Sequence, residues 1–82
     1  MMYFVYIIYS ESLQRYYVGS TNNISDRLRR HNSGQGKYTR IGIPWKLINS
    51  FEFSTRPEAV RLEMKIKKRG IKRFLEDSDL GV

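Results

Sequence analysis

A chain of 82 residues with a formal charge of +7 and a pI near 10 is small and strongly basic. One domain is expected at this length, with a thin core that buries roughly 60% of the unfolded surface. The absence of cysteine excludes disulfides and cysteine-based zinc sites, which suits a reducing compartment. No apolar run approaches the roughly 20 residues that span a bilayer, and the apolar start lacks the basic flank and cleavage site of a signal peptide. The chain therefore reads as soluble and cytoplasmic, with one domain over 1–82, an ordered core over about 2–75 and a tail over 76–82. The charge makes nucleic acid the first partner to consider, because neutralising phosphates releases counterions. An anionic membrane surface comes second, and a generically basic small protein is the plain alternative.

Residues 2–9 mix aromatic and β-branched types without a polar face, which predicts a central strand. A polar break over 10–14 carries no Asn-Gly or Gly-Gly signal, so its turn type stays open. Residues 15–20 read as the hairpin partner. Asn23 is a plausible N-cap with Asp26 three residues on, imitating a capping box, and the helix runs over about 24–32 to a stop at Gly34. Ile24, Leu28 and His31 share one face of it, with Arg27 beside them. Residues 33–44 form a loop with three glycines. Residues 45–53 alternate as a third strand with Trp45, Leu47, Asn49, Phe51 and Phe53 on one face. Thr55 and Glu58 make a capping box, and Pro57 suits a first turn. A second helix covers about 56–69, ended by Gly70. Ile71, Phe74 and Leu75 suggest a short third helix, with a frayed tail from position 77. The order is ββαβα(α), an α+β domain.

Several residues on this frame have chemistry to offer. Glu63 has Ala59, Val60, Ile66 and Lys67 as its helical neighbours, and a carboxylate on a mostly apolar face is costly unless paired or bound to metal. A boundary glutamate paired with an arginine explains it, and so does a ligand to Mg²⁺, which keeps its waters and needs few carboxylates. Tyr6 and Tyr17 sit in the hairpin. Strand tyrosines ordinarily pack, and with a pKa near 10 only about one in a thousand is ionised at neutral pH unless positive charge lies near. Arg27 could supply that charge and bind a phosphoryl oxygen, or be a solvated helix arginine like Arg29 and Arg30. His31, the one histidine, could relay a proton, bind phosphate, or be a satisfied, partly buried side chain. Gly19 at a strand end suggests a bulge, or close approach by a backbone or substrate. In the loop, Lys37, Tyr38 and Arg40 could contact a phosphodiester strand or stack on a base. Lys67 and Lys68 belong to a basic run over 65–73 with a solvated helix face as its plain reading.

Taken in order, Phe4-Val5-Tyr6, Tyr17-Val18-Gly19, Arg27, His31 and Glu63, with Lys37-Tyr38-Thr39-Arg40 before Pro44, form a set that resembles the GIY-YIG nuclease superfamily. The likeness is to its small stand-alone, UPF0213-type members and covers about 2–75. It implies a three-stranded antiparallel sheet flanked by helices and hydrolysis of DNA phosphodiesters with one Mg²⁺ or Mn²⁺. Glu63 would hold the metal. Tyr17 would be the general base with Tyr6 beside it, Arg27 would stabilise the pentacovalent phosphate, and His31 would assist Tyr17 or the substrate. Gly19 would be structural at the site, and Arg30, Lys37, Tyr38, Arg40, Lys67 and Lys68 would bind nucleic acid. DNA is the expected partner, branched or damaged forms included, with RNA left open; no membrane is expected, and a protein partner could add specificity. The chain departs from the pattern at Phe4, where the signature has glycine, at Ser20, where some branches have lysine, and after Gly70, where several branches carry an asparagine. The alternatives are a non-catalytic nucleic-acid-binding module of the same fold, or a domain that needs a partner for activity.

Overall fold

A computed structural model describes residues 1–80. The elements are β1 (Tyr3–Ser10), β2 (Arg15–Thr21), α1 (Ile24–Asn32), a 3-10 turn (Arg40–Gly42), β3 (Trp45–Phe53), α2 (Arg56–Arg69) and α3 (Ile71–Leu80). The sheet is antiparallel with order β2-β1-β3. β1 is central because both its faces are apolar: Val5, Tyr6, Ile7 and Ile8 are all buried. Val5 and Ile7 pack with Val18 against Ala59 and Ile66 of α2, backed by Phe74 and Leu75 of α3. Tyr6 and Ile8 pack with Trp45 against Ile24 and Leu28 of α1. The helices thus cover opposite faces of a three-stranded sheet, and no helix among the described residues is long and apolar enough to cross a membrane.

β3 differs from its expected single apolar face. Ile7 pairs with Asn49 but Ile8 pairs with Leu47, so Ile48 is an extra residue, a β-bulge. The bulge moves Trp45 and Leu47 to the Tyr6 side, while Asn49, Phe51 and Phe53 stay on the Val5 side. The sequence marks the place only by the apolar pair Leu47-Ile48 and the polar pair Asn49-Ser50 after it.

The hairpin turn is closed by Ser10, whose Oγ accepts from the Leu13 amide at 3.2 Å, and Gln14 takes the left-handed φ of 52°. Asn23 caps α1 by accepting from the Asp26 amide at 3.0 Å. The other half of the box belongs to Thr21, whose Oγ1 accepts from the Asn23 amide at 3.1 Å. Asp26 instead pairs with Arg29 and Arg30. Gly34 has the positive φ expected of a helix stop. At α2 the expected capping box closes between side chains: the Thr55 hydroxyl donates to Glu58 Oε1 at 2.7 Å and caps no backbone amide. α3 is longer than expected. It runs to Leu80 where a tail was predicted from 76 or 77, because Arg69 holds Asp77 through two hydrogen bonds of 2.8 and 3.1 Å. Positions 81 and 82 of the expected tail lie outside the described residues.

Candidate active site

The hairpin register brings the aromatic residues together. Tyr6 pairs with Gly19 and Ile8 with Tyr17, so the two tyrosines are diagonal neighbours on one face, their ring centres 6.5 Å apart. The Tyr6 phenol lies across Gly19. A Cβ at position 19 would stand 2.5 Å from its hydroxyl oxygen and 2.7 Å from Cζ. The glycine therefore makes room for a side chain, where a bulge, a backbone or a substrate was expected.

α1 delivers His31 to this pair. Its Nε2 lies 2.9 Å from the Tyr6 hydroxyl and its Nδ1 3.0 Å from Thr39 Oγ1. Tyr17 meets the imidazole edge-on, with 5.2 Å between ring centres, and reaches the ring of Trp45 at 6.3 Å. Both His31 nitrogens are thus engaged by neighbouring hydroxyls. The loop is fixed at the same point. Thr39 is buried, its carbonyl accepts from Trp45 Nε1 at 2.6 Å, and Gly36 packs so closely on the Thr39 hydroxyl that a Cβ there would overlap it. Asn32 closes the frame, accepting from the Trp45 amide at 2.6 Å and donating to its carbonyl at 3.1 Å.

The electrostatics divide the two tyrosines. Burial first, then the neighbouring Tyr17 and Glu63, push the Tyr6 phenol up to about 12, against the opposing pull of Arg27. Tyr6 is therefore a neutral hydrogen-bonding phenol at physiological pH. Burial, aided by the Arg27 charge, holds His31 below the usual imidazole value, so it is neutral too. Two neutral groups joined at 2.9 Å serve as a rigid support, in either tautomer of the ring. Tyr17 stands apart. It is 37% exposed, and its hydroxyl makes no hydrogen bond to another described residue.

Arg27 stands between two clefts. One, of about 200 Å³, is lined by Ser20, Thr21, Asn22, Arg27, Arg56 and Ala59, with Tyr3 behind. The other, of about 290 Å³, is lined by Arg27, Arg30, His31, Gln35 and Gly36. Glu63 lines neither. It sits one turn beyond Ala59 on α2, its side chain 18% exposed, and Lys67 Nζ approaches its Oε2 at 2.8 Å. That bond raises the Lys67 pKa, and Lys67 also feels the Tyr17 phenol. Glu63 and Lys67 thus lie within electrostatic reach of Tyr6 and Tyr17 respectively.

Of the remaining predicted nucleic-acid contacts, Arg30 lines the second cleft and the others are exposed. Arg30 is exposed and paired with Asp26 at 3.0 Å. Lys37, Tyr38 and Arg40 project from the loop on either side of buried Thr39, with Tyr38 83% exposed. Lys68 is exposed on α2. Thr39, Asn32 and Trp45, which frame the aromatic cluster, were not among the residues predicted for the site. An aperiodic loop gives no sign of which residue turns inward, although a threonine between two cations and beside a close glycine was the available hint.

A family model described as the GIY-YIG catalytic domain matches residues 2–73. A UPF0213 protein of Bacillus licheniformis is 43% identical over 65 residues, covering 74% of this chain and 67% of the relative. A UPF0213 protein of Streptococcus pneumoniae is 44% identical over 55 residues, 66% of this chain and 56% of the relative. The chain thus spans between about half and two-thirds of the length of these relatives. The solution structure of a UPF0213 protein from Bacillus halodurans is 31% identical and superposes with a TM-score of 0.60 over 98% of this chain and 85% of that one. With the same three-stranded sheet and helix order, this chain belongs to the GIY-YIG domain family, in its UPF0213 branch.

Proposed function

We propose that this chain hydrolyses phosphodiester bonds of DNA with the help of one divalent cation, Mg²⁺ or Mn²⁺. The observation that carries the reading is the asymmetry of the two tyrosines. Tyr6 is buried, hydrogen-bonded and held protonated; Tyr17 is open to solvent beside it. Tyr17 is then the base that takes the proton from an attacking water. Arg27 lines the cleft beside His31, and Lys67 lies within electrostatic reach of the Tyr17 phenol, so both bring positive charge to this corner of the sheet. Arg27, between the clefts, offers a guanidinium to the phosphoryl oxygens as their charge grows. Tyr6, His31 and Thr39 act as positioning residues that hold the Tyr17 ring and the loop in place.

Glu63 fits the role of cation ligand. Its carboxylate is mostly buried beside Ala59 and Ile66, and its counter-charge comes from a 58% exposed lysine free to swing away. Among the described residues there is no group of three or more acidic or histidine side chains gathered as a metal cage. One carboxylate with retained waters and a substrate phosphate suits Mg²⁺. A bound cation supplies neutralisation of the charge on the scissile phosphate and leaving oxygen.

Nicking of supercoiled and branched DNA is the test. Wild type is expected to nick with Mg²⁺ or Mn²⁺ and to stop in EDTA, and Tyr17→Phe is expected to slow cleavage by about 10²–10⁴-fold. A second reading, a nucleic-acid-binding module without activity of its own, is favoured by the Lys67–Glu63 ion pair, which already neutralises the carboxylate. It prevails if purified wild type binds DNA and RNA but cleaves neither under any of these conditions.

A further inference from the structure

We propose that the cleft between β2 and α2 is a binding site for a backbone phosphate next to the scissile one, held by Arg56 together with Arg27. This rests on the hydrolase reading and extends it to the path of the substrate strand. The cleft has about 200 Å³ of space, ample for one phosphate and part of its sugar, and no acidic residue lines it. Arg27 reaches it from α1 and Arg56 from the first position of α2. Among the described residues neither arginine makes an ion pair, whereas Arg29, Arg30 and Arg69 all do. Two guanidinium groups sharing one cleft repel each other, and an anion between them removes that cost. The Ser20 hydroxyl lies in the same wall and makes no hydrogen bond to another described residue, so it is a ready donor. Guanidinium forks suit the oxygens of a phosphodiester better than a lysine would.

The placement also gives direction. Arg27 is common to this cleft and to the one beside His31, so a strand with its reacting phosphate at Arg27 extends one step along the β2 edge to reach Arg56. Arg56 then contributes to binding and to registration of the strand without touching the reacting atoms.

The experiment measures equilibrium binding of short duplexes between 50 and 200 mM salt, for wild type and Arg56→Ala, in EDTA so that no cleavage intervenes. Each phosphate contact contributes about 0.9 to the slope of log K against log salt. Wild type is therefore expected to lose about 3–4-fold more affinity than Arg56→Ala over that range. Neutralising single phosphates as methylphosphonates should locate the contact: at one internal position the Arg56→Ala effect disappears, and at the others it persists. Equal salt slopes for the two proteins overturn the proposal, as does an Arg56→Ala effect that persists at every neutralised position. An effect that vanishes when a terminal 5′-phosphate is removed assigns the cleft to strand ends, and this too overturns it. Because the readout is binding, an inactive wild type defeats the hydrolase reading without deciding the phosphate contact.

Discussion

Tyr6, Gly19 and His31 behave as one unit, and their chemistry sets two expectations. Gly19→Ala places a methyl 2.5 Å from the Tyr6 hydroxyl oxygen, so the ring must move off His31. Overpacking of this kind costs about 1–3 kcal/mol, which denaturant unfolding would register together with a shift of the His31 ring resonances. The second expectation concerns pH. Native His31 has a depressed pKa, so the unfolded chain takes up a proton first as pH falls. Its contribution is complete above about pH 6.5 and is lost progressively below it. Tyr6 works in the opposite sense. Its native value of about 12 exceeds the ordinary 10.0, so its contribution is complete below pH 10 and is lost as pH rises from 10 towards 12. Tyr6→Phe should flatten that alkaline limb relative to wild type; the same alkaline loss in both proteins would refute the buried phenol as its source. That Tyr6, Tyr17, Arg27 and His31 lie close together was legible from motif order. Thr39 was not, because its role depends on where the loop folds back and nothing local distinguishes it from exposed Tyr38.

At the scale of elements, the ends of α1 and β3 are held together by Asn32. The side chain meets both the amide and the carbonyl of Trp45. Asn32→Ala strands two partly buried backbone groups, with an expected loss of about 1–3 kcal/mol and faster hydrogen exchange at the Trp45 amide. Unchanged stability and exchange would show that solvent replaces both bonds. The limits of β3 and of α1 and α2 were readable because proline, glycine and capping residues punctuate them. The bulge at Ile48 was not, although the apolar pair Leu47-Ile48 and the polar pair Asn49-Ser50 interrupt the alternation there, since only pairing with β1 shows which residue is extra. The end of α3 was missed for a related reason. Its polar sequence reads as a tail, and the contact that extends it comes from Arg69 on the preceding helix.

For the whole molecule, the +7 charge and six cations over 65–73 predict strong salt dependence of nucleic-acid binding. Lys68 and Lys72 are exposed and make no ion pair among the described residues. Replacing both with glutamine should make the salt slope shallower by about 2 if each meets a phosphate; an unchanged slope would place the strand elsewhere. On the proposed reading, binding and bond cleavage rest on separate groups of one framework, and a paired measurement on Glu63→Gln separates them. The substitution keeps the shape of the side chain and removes the charge that would hold a cation. Measured on the same supercoiled or branched DNA, the variant should bind within a few-fold of wild type and lose metal-dependent cleavage by orders of magnitude. Cleavage by Glu63→Gln at the wild-type rate would show that the Glu63 carboxylate does not hold the cation.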